Sequence, residues 1–235
     1  MREIPVRIVV DKSFEKSYWS FDIFKEMKKV SKLFEKKFKV KLKIVKISRW
    51  KPRILSGSPV FLHELITSLG QNSLKGMMRE FSKKLKKVGL FISREEEKLI
   101  IKKLRRKSIP DQLEYLVKYV ADLIIEHLLD ELTIRFGNKN QIVIGFTGRN
   151  CYLASACLKG TTIGTSYPEE KCIVIGAAVE SPAKLIAHEI GHLFGAKHTS
   201  DNTLMNPTSM AGPFRFNRKN KKIIKKYLSK NYPAR

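Results

Sequence analysis

The eleven residues from His188 to His198 constrain this chain more than any other segment. They read His-Glu-Ile-Gly-His-Leu-Phe-Gly-Ala-Lys-His and contain three of the chain's five histidines. Residues four apart share one face of an α-helix, so His188 and His192 are predicted to bind one metal ion from a single turn. Glu189 follows the first histidine, where a carboxylate can act as general base on a metal-bound water.

Gly195 and His198 are expected to complete the metal site. Gly195 follows the predicted helix, where a positive φ is easily adopted only by glycine, and a turn there would bring in His198 as third ligand. Three protein ligands leave the fourth tetrahedral position open, which indicates a catalytic zinc site rather than a structural one. The alternative is a helix whose histidines only cap it or face solvent, and the clustering of three histidines argues against it.

The segment Leu204-Met205-Asn206-Pro207 adds a second pattern. Together with the histidine motif it resembles the metzincin clan of zinc endopeptidases, in which His-Glu-x-x-His-x-x-Gly-x-x-His is followed by a methionine-containing turn. The resemblance implies a Zn²⁺-dependent endopeptidase with Glu189 as general base. A thioether is a soft ligand, so Met205 is expected to form an apolar floor under the imidazoles rather than to ligate zinc. Thr199 follows the third histidine and does not assign a subfamily.

The resemblance extends upstream of the histidines. Residues 141–149 are similar to the central strand of metzincin catalytic domains, and residues 172–179 to the strand before the zinc helix. Residues 162–168 are similar to the edge strand over the cleft. The resemblance thus implies that an extended peptide pairs with this edge. The expected edge residues are Thr162, Ile163, Gly164, Thr165 and Ser166. Gly164 has no side chain to hold the peptide away.

Hydrophobic periodicity predicts the remaining elements. A strand over 4–10, a long helix with Ser20 as N-cap and a strand over 40–47 suit a crossover onto a parallel sheet. Residues 54–138 are predicted to be helical, as is a basic segment after Pro213. The predicted helices between 54 and 138 are Phe61–Leu69, Leu74–Val88, Glu95–Arg106 and one opening at Pro110 and closed by Gly137.

These elements predict an α+β fold of α/β type. The expected core is a metzincin-like twisted mixed sheet with a zinc-site helix, all within one catalytic domain spanning residues 1–235. Residues 54–138 are interpreted as a large helical insertion whose flanking strands are neighbours in one sheet. Residues 199–235 are interpreted as a small C-terminal subdomain with the methionine turn and the last helix.

The formal charge is +25, from 47 Lys and Arg against 22 Asp and Glu, and it indicates which classes of partner the chain attracts. Such a field attracts nucleic acid, anionic surfaces or acidic substrates. Lysine is spread over most segments without a recognisable nucleic-acid module, which favours an ordinary solvated surface with weak electrostatic binding. Two alternatives to an active endopeptidase stay open. One is a basic, nucleic-acid-associated metalloprotein, and the other is a latent protease occluded by its helical insertion.

Cysteine usage and hydropathy bear on location. The chain has three cysteines, Cys151, Cys157 and Cys172. Such a small and odd number argues against a secreted disulfide framework, although a disulfide between Cys151 and Cys157 remains an alternative. The first ten residues do not resemble a signal peptide, and no apolar run reaches spanning length. The sequence therefore predicts a cytoplasmic protein without a transmembrane segment that acts on peptide or protein substrates.

Overall fold

The structure is a computed structural model that describes residues 1–16, 20–53, 73–88, 90–148, 164–176, 181–207 and 212–233. These residues contain five strands and seven helices. The strands are β1 (Arg2–Asp11), β2 (Val40–Trp50), β3 (Ile142–Thr147), β4 (Gly164–Tyr167) and β5 (Cys172–Gly176). The helices are α1 (Lys12–Glu15), α2 (Ile23–Phe38), α3 (Leu74–Lys87), α4 (Arg94–Leu104), α5 (Ile109–Phe136), α6 (Pro182–Leu193) and α7 (Arg218–Asn231).

The strands form one mixed sheet in the order β2-β1-β3-β5-β4. All neighbours are parallel except β4, which runs antiparallel to β5. The predicted α/β fold with a mixed sheet is confirmed, with β3 at its centre and β4 at one edge. The expectation that β2 and β3 are neighbours was wrong. They share the sheet, but β1 lies between them and pairs with both. Its residues from Ile8 to Asp11 are all buried, which suits an interior strand covered on both faces.

Helices cover both faces of the sheet and bury two separate cores. Helices α2, α6 and α7 pack on one face, where Phe34, Phe146 and Ile190 are fully buried. Helices α3, α4 and α5 pack on the other face around Phe81 and Leu132. All residues of β3 and β5 are buried, as expected for parallel strands that are covered on both sides.

The helical segment between β2 and β3 is part of the second core. Helices α3, α4 and α5 begin and end close to their predicted bounds, whereas the predicted helix Phe61–Leu69 lies outside the described residues. Helix α5 approaches the sheet closely at Gly145 of β3, where an added Cβ would lie 3.0 Å from Leu132 Cδ2. Glycine thus lets α5 approach the sheet closely at this point. The division into a catalytic domain, an insertion and a C-terminal subdomain remains a prediction.

Helix α2 begins later than predicted. Its N-cap is Asp22 rather than Ser20, because the Asp22 carboxylate accepts a hydrogen bond from Lys25 N at 3.0 Å. Its apolar side, with Met27, Val30 and Phe34, packs on the sheet as the spacing predicted. Across the described residues, none of the helices combines the length and hydrophobicity needed to cross a bilayer.

Leu132→Ala tests whether the helical layer stabilises the sheet. Leu132 is fully buried against Gly145, so its truncation should lower the free energy of unfolding by about 2–5 kcal/mol. Denaturant unfolding followed by tryptophan fluorescence should show one cooperative transition. The matched control is Leu99→Ala, because Leu99 is 57% exposed and its loss should change stability by less than about 0.5 kcal/mol. A separate first transition for the helices would contradict an integrated layer.

Candidate metal centre

Helix α6 carries the first two histidines and is anchored at its N-terminus by another helix. Ser181 is at the N-cap position and Pro182 follows, as predicted, but the Ser181 side chain makes no capping bond. The Glu26 carboxylate of α2 accepts a hydrogen bond from Ala183 N at 3.2 Å instead. An anionic group is favourable at a helix N-terminus, so Glu26 both satisfies a free N–H and ties α6 to α2.

A glycine turn follows α6, as predicted. Gly195 has a φ of +83°, the left-handed region that favours glycine. Its N–H donates to His192 O at 2.9 Å, and Ala196 N donates to Gly191 O at 2.9 Å. This turn reverses the chain and brings His198 beside the helix.

The three histidines meet at a common point. The Nε2 atoms of His188 and His192 are 3.1 Å apart, those of His188 and His198 are 3.2 Å apart, and those of His192 and His198 are 2.9 Å apart. Two nitrogens bound to one tetrahedral zinc at 2.0–2.1 Å are separated by about 3.3 Å. Three ligand atoms thus lie close to the separations that a single ion needs.

The hydrogen bonds of the Nδ1 atoms show that the Nε2 atoms can act as ligands of a cation. His188 Nδ1 is 2.7 Å from Leu204 O and His192 Nδ1 is 2.9 Å from Ala196 O. A carbonyl oxygen only accepts, so in the neutral rings each Nδ1 carries the proton and each Nε2 carries a lone pair. Lone pairs at 3.1 Å repel unless a cation lies between them. The residues present therefore fit a metal ion such as zinc.

Burial favours the neutral forms of these groups, so it lowers the pKa of an imidazole and raises the pKa of a carboxyl group. Desolvation lowers the pKa of His188 to about 4 and also lowers that of His192. Desolvation raises the pKa of Glu189 to about 7, and the hydrogen bond from Ser166 opposes this rise. Burial thus favours the neutral, metal-binding form of both imidazoles, and the pKa of Glu189 suits proton exchange near neutral pH.

Ser166 of β4 holds the carboxylate of Glu189. Its Oγ donates to Glu189 Oε2 at 2.8 Å, and Glu189 is only 5% exposed. The edge strand and the zinc helix are therefore joined at the predicted general base. The sequence placed Ser166 on the edge strand but did not predict this bond, because the two residues are 23 positions apart with no local pattern linking them.

The methionine turn packs directly under the histidines. Met205 is fully buried, and a Cβ added at Gly191 would lie 2.9 Å from Met205 Sδ and 2.9 Å from Phe216 Cε1. The glycine within the histidine motif thus leaves room for the thioether and for the ring. The role of Met205 as an apolar floor under a bound metal remains a prediction.

Asp201 closes the loop between the third histidine and the methionine turn, and sequence reasoning missed it. Its carboxylate accepts hydrogen bonds from Thr199 Oγ1 at 2.7 Å, from Asn217 Nδ2 at 2.7 Å and from the Thr203 hydroxyl. These donors, with Thr203 the strongest, lower the pKa of Asp201. Thr199 N also donates to Met205 O at 3.0 Å, so the loop is fixed at both ends.

Asn220 of α7 was also missed and fixes the residue before His198. It is 1% exposed, its Oδ1 accepts from Lys197 N at 3.0 Å, and its Nδ2 donates to Lys197 O at 2.9 Å. A side-chain amide that pairs with both backbone groups of one residue holds that residue rigidly. The last helix thereby positions the third histidine.

The predicted substrate edge is only partly within the described residues. Gly164, Thr165 and Ser166 lie in β4, which has β5 as its strand partner. Thr162 and Ile163 lie outside the described residues, as do Cys151 and Cys157, and Cys172 is a buried free thiol. The reason given for Gly164 was wrong. An added Cβ would lie 3.2 Å from Leu185 Cδ1, so the missing side chain faces α6 rather than an incoming peptide.

Comparison with known proteins places this site in a family. The family model described as Reprolysin_5, metallo-peptidase family M12, matches residues 107–230, more than half of the chain. The chain belongs to metallo-peptidase family M12. The crystal structure of archaemetzincin from Methanopyrus kandleri is similar over 97% of this chain and 96% of that chain, with 14% identity and a TM-score of 0.49. No curated protein matches the chain.

Membership of family M12 confirms the predicted metzincin-like metalloprotease and leaves the subfamily unresolved. It also implies a catalytic metal, for which zinc is the expected ion. The M12 match begins at residue 107 and so includes α5. The sequence had placed this helix within the 54–138 insertion, so the family pattern and the expected insertion overlap over residues 107–138.

Zinc binding should release fewer protons than three ordinary imidazoles would, because burial lowers the pKa of His188 to about 4 and also lowers that of His192. We expect the Glu189→Gln protein, which lacks the nearby carboxyl group, to release fewer than about two protons per zinc at pH 6. Three ordinary imidazoles with a pKa of about 6.5 would release about two. Calorimetry in two buffers with different ionisation enthalpies measures this number. A release of two or more protons would contradict the lowered pKa values of His188 and His192.

Proposed function

We propose that this M12 metallopeptidase is a zinc endopeptidase that hydrolyses internal bonds of extended peptides. The observation that carries the proposal is the convergence of three Nε2 atoms beside a buried carboxylate that an edge strand holds in place. In the proposal, His188, His192 and His198 hold the metal ion. When bound there, zinc acidifies a coordinated water and polarises the scissile carbonyl.

Glu189 is the proposed general base. Its carboxylate takes a proton from the attacking water and then delivers that proton to the nitrogen of the leaving amine. The raised pKa of Glu189, about 7, suits a group that must both accept and release a proton near neutral pH. Ser166 donates to one carboxylate oxygen, so the other oxygen is left to receive the proton.

Strand β4 is the proposed platform for the substrate. It is the last strand of the sheet, and its Ser166 contacts Glu189, so a peptide paired with β4 would run past the metal centre. Main-chain pairing binds an extended peptide without demanding a particular side chain. This supports cleavage within a chain rather than removal of a terminal residue, because an edge strand does not select a terminus.

Glu189→Gln tests the role of the base. This variant should keep zinc and stability but lose peptide hydrolysis by about 10²–10⁴-fold, because a base but no ligand is removed. The measurement is cleavage of an internally quenched peptide library, with zinc content determined on the same samples. Glu169→Gln is the matched control, because Glu169 is an exposed carboxylate in the turn after β4. Full activity of Glu189→Gln would contradict the assigned reaction.

Ser166→Ala tests how the base is held. Loss of a hydrogen bond to a charged group costs about 1.5–3 kcal/mol, so kcat should fall roughly 10–100-fold. Zinc content should not change. Ser166→Thr keeps a hydroxyl and should retain most activity, and Thr165→Ala is the control on the same strand. Equal losses for Ser166→Ala and Thr165→Ala would show that β4 contributes only packing.

The two alternatives remain predictions with defined tests. A nucleic-acid-associated protein would bind oligonucleotides with an affinity that falls steeply with salt. A latent protease would bind zinc, cleave no peptide in a library, and become active after a nick in residues 54–138. The described helices of that segment pack on the sheet face opposite to α6, so they give no support to direct occlusion of the metal centre.

A further inference from the structure

The edge of the sheet opposite to β4 carries a second groove. In the strand order, β2 and β4 are at opposite ends, so a ligand on β2 is distant from the metal centre. The groove lies between β2 and α2 and has a volume of about 740 Å³. Among the described residues, β2 pairs with β1 alone. At the start of β2, Leu42 N donates to Ser31 Oγ of α2 at 3.1 Å, so the edge that is open to another strand lies beyond Leu42, from Lys43 to Ile47.

The two faces of this edge differ in chemistry. Ile44 pairs with Val6 and Ile47 pairs with Ile8, and both partners belong to the core shared with α2. The register therefore places Ile44 and Ile47 on the face toward α2. Lysine occupies the opposite face, because the register shift at Val45 keeps the alternation of apolar and basic residues from Val40 to Ile47. The lysines of that face are Lys41, Lys43 and Lys46, which pair with Glu3, Pro5 and Arg7.

The groove leaves unusual apolar surface exposed. Phe24 at the start of α2 is 59% exposed, and Val45 and Ile47 of β2 are 51% and 50% exposed. All three line the groove. Lysine at a sheet edge opposes pairing with another copy, but it does not explain large apolar side chains at the same edge.

We propose that the groove between β2 and α2 binds an extended, acidic segment of a partner protein, which adds to β2 as a sixth strand. The apolar residues of this segment would face α2, and its Asp or Glu residues would face the lysines of β2. Charge complementarity carries the choice of partner, since five lysines and one glutamate line the groove. Glu3 of β1 already contacts Lys43 Nζ at 3.0 Å and Lys41 Nζ at 3.9 Å, and the groove stays positively charged when this carboxylate is counted. The lining charges are Lys28, Lys32, Lys41, Lys43, Lys46 and Glu35.

Two other occupants fit this edge less well. A second copy of the chain would place two identical rows of lysine against each other, which is repulsive. A nucleic-acid strand would satisfy the lysines, but its phosphates only accept hydrogen bonds and cannot donate to the outer carbonyl groups of β2. An acidic peptide supplies donors, acceptors, charge and apolar side chains at the spacing of a strand.

The test uses the full-length Glu189→Gln protein, so that a bound peptide is not cleaved. The probe is a fluorescein-labelled ten-residue peptide of alternating Glu and Val. Binding is measured by fluorescence anisotropy at low salt, and hydrogen exchange locates the protected amides. We expect exchange to slow in β2. The variant Lys41→Gln/Lys43→Gln/Lys46→Gln should weaken binding by at least about tenfold.

A matched variant and two altered probes separate strand addition from general attraction. Lys98→Gln/Lys102→Gln/Lys107→Gln removes the same charge from exposed positions on and just after α4, and should weaken binding less than about threefold. A peptide of the same composition with separate Glu and Val blocks, and a peptide N-methylated at alternate residues, should both bind at least about tenfold more weakly.

Four results would overturn the proposal. They are equal weakening by the two triple variants, undiminished binding of the N-methylated peptide, slowed exchange in β4 instead of β2, and binding of an oligonucleotide but not of the acidic peptide to the lysines of β2. In the protein that keeps Glu189, the Lys41→Gln/Lys43→Gln/Lys46→Gln substitutions should leave the rate of hydrolysis of short peptides unchanged. The binding result is therefore independent of whether the proposed endopeptidase activity is found.

Discussion

Two hydrogen bonds from imidazole Nδ1 to backbone carbonyl groups determine what this site can do. They run from His188 to Leu204 and from His192 to Ala196, and they turn both Nε2 lone pairs toward His198. Both carbonyl groups lie on the chain that returns after Gly195, so the turn that presents the third histidine also orients the first two. Without a cation these lone pairs repel, so part of the energy of metal binding comes from relief of that repulsion.

The sheet, the helices and the loop each hold one side of this arrangement. Glu26 of α2 anchors the start of α6, Ser166 of β4 holds Glu189, and Asp201 closes the loop that leads to Met205. Each contact joins a different element to the zinc helix or its return loop. Hydrogen bonds from three different elements therefore hold the polar groups of the site in place.

The metal site was predictable from sequence because its geometry is local. The spacing of His188 and His192 requires only a helix, and Gly195 requires only a turn, so residues within eleven positions specify the centre. The supporting residues were not predictable. Asn220, Glu26 and Ser166 reach the site through contacts across 23 or more positions, and Asn, Glu and Ser occur on most protein surfaces. The prediction of strand order was wrong for the same reason. The sequences of β2 and β3 contain no pattern that specifies β1 as their common neighbour.

The two hydrogen bonds between Asn220 and Lys197 determine when the third ligand becomes fixed during folding. The helix that carries His188 and His192 can form as soon as the sheet is present, but the segment before His198 is held by a residue made later in synthesis. A growing chain that lacks α7 has a two-histidine site with an unfixed third ligand. In the proposed enzyme, tight metal capture is therefore coupled to completion of the last helix, because only then is the third ligand fixed.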